Sequence, residues 1–584
     1  MDVSSHLFKT RLTLLSLVFL GMTGLIVMRL IQLQIYNGDI FFSRSQRNFM
    51  RTEKITSLRG DIHDCFGRPL ATNRPVTILM WQGTGNKEFD AGQIELLNYL
   101  EYVCSLPFTQ DQALRTAEVL GRSYILMSDI SLTLLSKILE RYPHHKNMRI
   151  STHFKRFYPY ESLACHILGY LGSLTSEGAG QMGLEKIFEN DLKGTPGQLL
   201  KTVNSWGQAL AEQEIQHARE GEHLRTTIDL DIQRIAEELF PQEYAGALII
   251  MEPRTGALRA VISQPSFNPN VFVNALTDEE WKKMQTLKNP FVNRVFNAMY
   301  PPASLFKLVT MSVALENGLA TPESLWYCRG HTTFAGRRYH CNRKQGHGML
   351  TTEEAIEHSC NIPFYELAKK IKIDSLHDYA HKFGLGSPTH CAFPEKSGLI
   401  PSSEWKRRVK GEPWWPGETF SAVIGQSYLL ATPIQLICMA SSICEGFLVR
   451  PRILEAEPID TQQLTLSPAT LQFLRNSMEQ VVNKGTAQRL RGLRNIKIYA
   501  KTGTAQTSAL SKQNMGEAYQ EHAWLVAHIS YKDHEPFALL IILEHAKSSK
   551  AAIPVASQVI KRYRQLLDTR TQKLNSPNTQ TVTN

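Results

Sequence analysis

The sequence predicts an α+β protein with a single N-terminal transmembrane helix, an α/β domain and a C-terminal domain built on one antiparallel sheet. Three observations support this fold class. Residues 12–28 form an uncharged apolar run, residues 247–262 are typical of a β-hairpin, and three strand-like runs follow a long helical middle. Strands contributed by both ends of a domain, with helices between them, indicate one antiparallel sheet surrounded by helices.

The N-terminus predicts a membrane anchor over residues 12–32. Lys9 and Arg11 precede the apolar run and Arg29 closes it, so a span can begin and end at charged residues. A cleaved signal peptide is the alternative, although the bulky residues after Arg29 offer no small-residue cleavage site. Basic residues before the span place residues 1–11 in the cytoplasm and the remainder outside. We therefore expect a single-pass protein of the bacterial inner membrane that faces the periplasm.

Composition excludes some classes of function. The 584 residues are 42% hydrophobic and 20% charged, which is typical of folded domains rather than of a disordered chain. The formal net charge of +10 is spread along the chain, with no basic run interleaved with aromatic residues. We therefore expect no nucleic-acid partner, and an anionic lipid or polymer suits the positive charge better.

Residues 33–224 are predicted to form a structural domain without catalytic chemistry. Arg59 to Ala71 is typical of two short strands joined at a Phe66-Gly67 turn, and residues 90–145 carry helical periodicity. The segment 224–229 is expected to be a strand that leads into a helix from Leu230 to Phe240. The domain boundary is placed there.

Residues 225–569 are predicted to hold the antiparallel sheet, and residues 570–584 a disordered tail. The first two strands, Ala247–Met251 and Leu258–Ile262, are joined by a turn at 253–256. The last three are expected at Ile496–Thr504, Ala523–Ser530 and Phe537–Leu543, followed by a helix from about Ala552 to Leu567. The polar tail lacks a hydrophobic period.

Ser304 is the candidate nucleophile and Lys307 its candidate base. Pro301 and Pro302 favour a helix start, so Ser304 falls in the first turn of a buried helix and Lys307 lies one turn further on the same face. A lysine kept neutral by its surroundings can take the serine proton. Ser304 could instead be only a capping residue. A second Ser-x-x-Lys pair, Ser403 and Lys406, is interpreted as a solvated loop.

Two later segments strengthen the interpretation of Ser304. Ser359 could relay a proton toward a leaving amine, and Asn361 could hold a substrate amide. Lys501, Thr502 and Thr504 could offer charge and hydroxyls to a terminal carboxylate, while Gly503 leaves room for an extended ligand backbone along the strand. The amides of Ser304 and Thr504 are candidate oxyanion donors. Together these residues describe an acyl-serine active site.

Four residues form a candidate metal site: Cys328, Cys341, His347 and Cys360. Their spacing does not match a zinc finger, but three thiols and one imidazole suit tetrahedral zinc. Because Cys360 lies between Ser359 and Asn361, a metal would hold that loop in place. A Cys328–Cys341 disulfide is the alternative in an oxidising compartment. Five further cysteines are predicted to be plain core residues: Cys104, Cys165, Cys391, Cys438 and Cys444.

The three catalytic segments, in this order, resemble the penicilloyl serine transferases. Four further segments are similar to class B penicillin-binding proteins: Arg59-Gly-Asp-Ile, Gly183-Leu-Glu-Lys, Gly425-Gln-Ser and Thr432-Pro-Ile-Gln. His347 and Trp415-Pro-Gly-Glu-Thr resemble the elongation-type peptidoglycan transpeptidases of that class. Three positions depart from the family pattern. Ala303 and Ser427 stand where glycine-type residues are usual, and Asn361 stands where many elongation-type members have aspartate.

The resemblance implies an extended pedestal that docks a membrane glycosyltransferase, followed by a penicillin-binding transpeptidase domain. It also implies that Ser304 is acylated by peptidoglycan stem peptides ending in D-Ala-D-Ala, and by β-lactam antibiotics as covalent inhibitors. An amine of a neighbouring stem peptide would complete transpeptidation, whereas water would give carboxypeptidase activity. Some elongation-type members have a comparable metal site beside the Ser-x-Asn segment. No organic cofactor is expected.

Three alternatives remain open at this point. A septal class B transpeptidase shares every segment named above. A serine β-lactamase shares the catalytic segments but needs an additional base to activate water, and a long anchored pedestal is foreign to it. A non-catalytic β-lactam sensor would keep Ser304 but should carry several membrane spans or a cytoplasmic signalling domain, and the sequence contains one candidate span.

Overall fold

The computed structural model describes residues 3–172, 178–203, 209–273, 276–493, 495–506, 516 and 519–575. The chain divides into two compact units. The first unit contains residues 1–59, 73–155 and 193–221, and the second contains residues 60–72, 156–192 and 222–584. Two segments of the predicted pedestal therefore fold within the same unit as the C-terminal sheet.

The first unit begins with a long exposed helix, Val3–Ile31, which a π-helical turn extends to Tyr36. In the described part of the chain, Leu7–Tyr36 is the one helix long and apolar enough to cross a membrane. The other helices are Gly38–Phe49, Ala91–Cys104, Gln112–Val119 and Leu132–Arg141. The strands are Met50–Ile55, Ser123–Ser128, Gly197–Val203 and Ala209–Gln216, together with most of Pro69–Gln82 and Met148–Phe157, whose remaining residues belong to the second unit.

Local sequence explains where these elements begin. Asp90 and Gln93 form a reciprocal capping box at the start of the helix Ala91–Cys104. Leu96, Leu97 and Leu100 of this helix pack in a small separate core. The helical periodicity of residues 90–145 is confirmed, with the strand Ser123–Ser128 as an interruption that the periodicity did not predict.

The second unit has short elements before its sheet. Its early strands are Ile62–His63, Leu171–Gly172, Ala179–Gly180 and Leu224–Arg225, and its early helices are Cys165–Leu168, Gly183–Ile187, Glu189–Lys193 and Leu230–Leu239. The helices of its middle part are Asn270–Val273, Asp278–Gln285, Arg294–Asn297, Lys307–Glu316, Thr352–Glu357, Ile362–Ala368, Ile373–Lys382, Ser403–Lys410, Pro416–Ala422, Pro433–Glu445 and Pro468–Asn483. Short strands lie among them at Leu325–Cys328, His331–Phe334, Arg337–His340, Gly348–Thr351, Phe447–Val449 and Thr461–Gln463. Short 3₁₀ turns lie at Ala303–Leu305, Gln488–Leu490 and Ser549–Ala551.

The predicted five-stranded antiparallel sheet is confirmed. Its spatial order is Leu258–Gln264, Gly246–Met251, Phe537–Leu543, His522–Tyr531 and Ile496–Ala505, and all neighbours are antiparallel. The three central strands are buried almost throughout, so both faces of the sheet are covered. Among the described residues, Ile496–Ala505, called the edge strand below, pairs with a strand on one side only.

The segment Thr432-Pro-Ile-Gln begins a buried helix that packs against this sheet. The Thr432 and Gln435 side chains form a reciprocal capping box, and Pro433 occupies the first turn, where a missing N–H is harmless. The helix Pro433–Glu445 is buried on nearly every side.

Arg156 joins two segments that the sequence resemblance singled out. Its guanidinium bonds Glu185 at 2.7 Å and the Gly60 carbonyl at 2.8 Å. The side chains of Arg156 and Glu185 are 1% and 0% exposed. Gly60 and Glu185 are therefore linked through Arg156 within the second unit, which gives these two segments a structural role.

Two predictions are corrected here. The C-terminal helix runs over Ala552–Asn575, so residues 570–575 are helical, while residues 576–584 lie outside the described part of the chain. Arg570 pairs with Asp229 and Asp231, which stabilises the helix beyond Leu567.

Ser403 and Lys406 lie on the helix Ser403–Lys410, and Lys406 is buried in a bidentate pair with Glu418 at 2.6 Å. They are not a solvated loop.

The buried pair yields the first testable prediction. Glu185→Ala removes the hydrogen-bonded partner of the buried Arg156 charge and leaves the more distant Asp61 carboxylate at 3.8 Å, so we expect the free energy of unfolding of the second unit to fall by about 3 kcal/mol. Urea unfolding followed by tryptophan fluorescence measures this loss. Glu238→Ala is the control, since it removes an exposed pair with Arg562 at 3.8 Å, for which less than about 1 kcal/mol is expected. Equal losses would contradict the prediction.

Candidate active site

Ser304 lies in a 3₁₀ turn, Ala303–Leu305, directly before the buried helix Lys307–Glu316. This position agrees with the first-turn prediction. Ser304 is partly exposed, whereas Ala303 and Leu305 on either side are buried. The flanking side chains therefore hold the turn in place, while the hydroxyl remains accessible.

Gly425 supports the Ser304 turn through a backbone hydrogen bond. The Ala303 amide donates to the Gly425 carbonyl at 2.9 Å. A Cβ on Gly425 would lie 2.1 Å from the Ala303 carbonyl oxygen. Ala303 and Ser427, two of the three departures from the family pattern, have φ values of 49° and 70°. Glycine adopts this left-handed region freely, so the glycine-type residue expected from the family pattern suits the backbone at both positions.

Lys307 is fully buried and points at the segment Ser359–Asn361. Its Nζ donates to the Ser359 carbonyl and to Asn361 Oδ1, each at 2.7 Å, and lies 3.3 Å from Ser359 Oγ. The Phe364 ring covers it from another side at 5.2 Å. The structure thus brings Lys307, Ser359 and Asn361 together.

Lys501 completes this group from the edge strand. Its Nζ donates to Ser359 Oγ at 2.9 Å and to the Thr502 carbonyl at 3.2 Å. The ammonium is fully buried, so its contacts differ from the expectation that it faces a ligand carboxylate directly. Ser359 Oγ therefore lies between two lysines. Ser359 has a left-handed φ of 52°, which marks a constrained loop.

Burial sets the protonation of both lysines. It lowers the pKa of Lys307 from 10.5 to about 8. Burial and the neighbouring Lys307 charge hold the pKa of Lys501 well below its usual value. A neutral amine is consequently available near neutral pH, which a proton-accepting lysine requires.

The edge strand passes beside the Ser304 turn at Gly503. A Cβ at Gly503 would lie 3.5 Å from both Leu305 Cγ and the Pro302 carbonyl oxygen, which is an ordinary van der Waals separation, and 3.3 Å from Trp524 Cβ, which is a tight contact. The room that Gly503 leaves for a ligand backbone stays a prediction. The free side of the strand remains able to pair with an extended peptide.

The two threonines of the edge strand have partners within the protein. Thr502 Oγ1 lies 2.6 Å from Thr486 Oγ1, and Thr504 Oγ1 accepts from the Ser549 amide at 3.2 Å. Thr502 is buried and Thr504 is partly exposed. The Thr504 hydroxyl is thus the more accessible of the two.

The four candidate metal ligands converge. Ligand atoms of Cys328, Cys341, His347 and Cys360 all lie within 4.8 Å of one another. His347 Nδ1 is 3.6 Å from Cys328 Sγ and 3.5 Å from Cys341 Sγ, and Cys341 Sγ is 3.6 Å from Cys360 Sγ. Tetrahedral zinc, with Zn–S of about 2.3 Å and Zn–N of about 2.0–2.1 Å, sets sulfur–nitrogen and sulfur–sulfur separations of about 3.5 and about 3.8 Å. The donor set fits this ion.

The protonation states of the cluster residues also favour metal binding. The hydrogen bond with Cys360 lowers the pKa of the Cys341 thiol, so this pair favours one thiolate at neutral pH. Burial lowers the pKa of His347, which favours a neutral imidazole. Thiolate and neutral imidazole are the forms that bind zinc. All nine cysteines lie in described residues and are free thiols, including those that the disulfide alternative would join.

Several residues at the site escaped the sequence analysis. Trp524 Nε1 donates to the Pro301 carbonyl at 3.1 Å, and Asn361 Nδ2 donates to the His340 carbonyl at 3.1 Å. Tyr300 Oη donates to Glu544 at 2.7 Å, and Arg294 pairs with the same carboxylate at 2.8 Å. Each contact joins segments far apart in the chain, and no local pattern marks it.

Two family models match the chain. The model for the penicillin binding protein transpeptidase domain matches residues 246–562, and that for the penicillin-binding protein dimerisation domain matches residues 54–226. The second match ends close to the boundary expected at 224.

Curated relatives and solved structures are similar over nearly the whole chain. Peptidoglycan D,D-transpeptidase MrdA of Haemophilus influenzae is 28% identical, covering 98% of this chain and 94% of that protein. The Escherichia coli K12 protein of the same name is also 28% identical, with coverages of 95% and 94%. PBP2 from a Helicobacter pylori complex with MreC has a TM-score of 0.76 at 26% identity, covering 89% of this chain and 99% of that one. A chain of a peptidoglycan synthase complex has a TM-score of 0.72 at 29% identity, with coverages of 94% and 97%.

Proposed function

The chain belongs to the penicillin-binding protein transpeptidase family, and we propose that it cross-links peptidoglycan stem peptides during cell elongation through an acyl-enzyme on Ser304. The observation that supports these catalytic roles is the position of Ser359 Oγ, which lies between the amines of Lys307 and Lys501. Similarity to elongation-type transpeptidases supports the choice of elongation over division.

Acylation is the first step. The extended donor peptide adds to the free side of the edge strand, with its terminal carboxylate near the Thr504 hydroxyl. Ser304 Oγ attacks the carbonyl carbon of the penultimate D-Ala, and neutral Lys307 takes the hydroxyl proton. The amides of Ser304 and Thr504 would stabilise the oxyanion, for which a loss of about 3 kcal/mol per donor is typical.

Collapse of the tetrahedral intermediate breaks the C–N bond to the terminal D-Ala. Ser359 Oγ passes a proton from the lysine pair to this leaving amine, and an ester on Ser304 remains. In the second step an amine of a neighbouring stem peptide attacks the ester carbonyl. A C–N bond forms, the C–O bond to Ser304 breaks, and the amine proton returns to the serine oxygen. Water in place of the amine gives hydrolysis and carboxypeptidase activity.

The N-terminal helix is proposed as an uncleaved single-pass anchor of the inner membrane, with the residues that follow it in the periplasm. Its length and apolar composition support an anchor, and Lys9 and Arg11 support a cytoplasmic N-terminus. The first unit is proposed to dock a membrane glycosyltransferase. Exposed apolar side chains on this unit, including Tyr102, Leu132 and Phe154, support a docking role.

Zinc is proposed as a structural ion held by Cys328, Cys341, His347 and Cys360. Matching donor separations and favourable protonation support this choice. The ion would supply no acid, base or redox chemistry in the reaction. Its effect would be to restrain Cys360, and with it the backbone of Ser359 and Asn361, which flank Cys360 in the chain.

Covalent labelling with a fluorescent penicillin tests the nucleophile. We expect the wild-type chain to form a stable adduct and Ser304→Ala to form none, because the variant lacks the attacking oxygen. Ser403→Ala is a matched control, since Ser403 has the same Ser-x-x-Lys spacing but its hydroxyl is bonded to Asp374 at 2.7 Å. Labelling of Ser304→Ala, or its loss only in Ser403→Ala, would refute the assignment.

The pH dependence of acylation tests the base. Because Lys307 must be neutral and burial places its pKa at about 8, we expect the second-order acylation constant to rise about tenfold per pH unit below 8 and to level off above it. Stopped-flow measurements between about pH 6 and 10 give this profile. Lys307→Arg, which stays protonated, should be inactive throughout. A flat wild-type profile would exclude Lys307 as the titrating base.

Metal analysis tests the zinc proposal. We expect about one zinc per purified chain, and loss of the metal with a lower melting temperature in Cys360→Ser. Cys438→Ser is the control, since Cys438 is a buried thiol outside the cluster. Absence of metal together with two fewer titratable thiols in the wild type would favour the Cys328–Cys341 disulfide.

A further inference from the structure

A strongly basic surface lies next to the active site. The segment 329–344, called the basic hairpin, contains the paired strands His331–Phe334 and Arg337–His340 and the loop that follows. It carries five cations and no acidic residue; the cations are Arg329, Arg337, Arg338, Arg343 and Lys344. All five are exposed. Within the described part of the chain, none of them forms an ion pair.

The basic hairpin is attached to the loop that holds Ser359. The His340 carbonyl accepts from Asn361 Nδ2 at 3.1 Å and from Tyr365 Oη at 3.4 Å. Cys341 Sγ contacts Cys360 Sγ at 3.6 Å. The positive charge is therefore anchored on the Ser359–Asn361 side of the site, whereas the edge strand supplies Lys501 from its own side.

A groove with a volume of 520 Å³ adjoins the hairpin. Its walls include Leu325, Tyr327, Arg329, His331, Lys369 and Lys370. Leu325 and Tyr327 are 65% and 66% exposed. Glu366, also in the wall, already accepts from Thr332 at 3.0 Å and pairs with Lys369. Its charge is thus compensated within the protein, while Arg329 and Lys370 remain available to a ligand. A ligand that fits this surface has negative charge and some apolar or ring surface.

We propose that the basic hairpin and its groove bind the carboxylate-bearing stem peptide of the acceptor strand, the one that donates the amine in the second step. This inference rests on the proposed transpeptidation. The edge strand is assigned to the donor peptide, so the acceptor amine must approach the Ser304 ester from another side, and the hairpin borders the Ser359 loop. Free carboxylates on a stem peptide complement the five exposed cations of the basic hairpin.

The test separates recognition of the acceptor peptide from acylation. The full-length chain in detergent is acylated with a thioester donor, and the ratio of aminolysis to hydrolysis is measured with an acceptor stem peptide. This peptide is used with free carboxylates and with the same carboxylates amidated. The variant is Arg337→Glu/Arg338→Glu, and the matched control is Arg407→Glu/Arg408→Glu, an adjacent exposed pair on the helix Ser403–Lys410.

We expect the hairpin variant to lower aminolysis by the carboxylated peptide about tenfold at low salt, with a smaller effect at high salt. The amidated peptide and the rate of penicillin acylation should be unaffected, and Arg337→Gln/Arg338→Gln should be intermediate. Behaviour identical to the control would overturn the inference. So would an equal loss with the amidated peptide, or lost binding to anionic phospholipid vesicles with aminolysis unchanged. Failure of the wild type to acylate would refute the proposed function itself.

Discussion

Two buried lysines that share one hydroxyl are the constraint on which the site depends. Lys307 and Lys501 lie 3.3 and 2.9 Å from Ser359 Oγ. Two ammonium groups around one hydroxyl in a buried site repel each other, and burial disfavours the charged form of each. The protein therefore favours a neutral amine beside Ser359 Oγ. The contacts of the two lysines with Ser359 therefore stabilise the loop and also keep the lysines close enough to favour the neutral form that can accept a proton.

The fold satisfies this constraint by bringing together three distant segments. The sheet pairs strands from both ends of the second unit, which places the edge strand and Lys501 beside the Ser304 turn. Gly425 lacks the Cβ that would collide with the Ala303 carbonyl oxygen and hold the turn away from its supporting loop. The third segment is the Ser359 loop, which contains a left-handed residue and lies next to the cysteine cluster.

Sequence reasoning located the five strands because they depend on local pattern. It also grouped Lys307, Ser359, Asn361 and Lys501, which the structure brings into contact. It misjudged Lys406, whose spacing from Ser403 equals that of Lys307 from Ser304. One lysine pairs with Glu418 and the other contacts Ser359 and Asn361, and only the tertiary structure distinguishes them. It also missed the helical residues 570–575, because Asp229 and Asp231, which pair with Arg570, are remote in sequence. The convergence of the cysteine cluster agrees with its prediction, while its occupancy remains a proposal.

A double-mutant cycle on the acylation rate tests the shared hydroxyl most directly. Acylation by a penicillin is measured for the wild type, Ser359→Ala, Lys501→Met and the double variant. If Lys501 acts through Ser359 Oγ, the double variant should be about as slow as the slower single variant, because the two residues function as one unit. Losses that multiply would mean that the lysine and the hydroxyl act independently, and would contradict the account of this site.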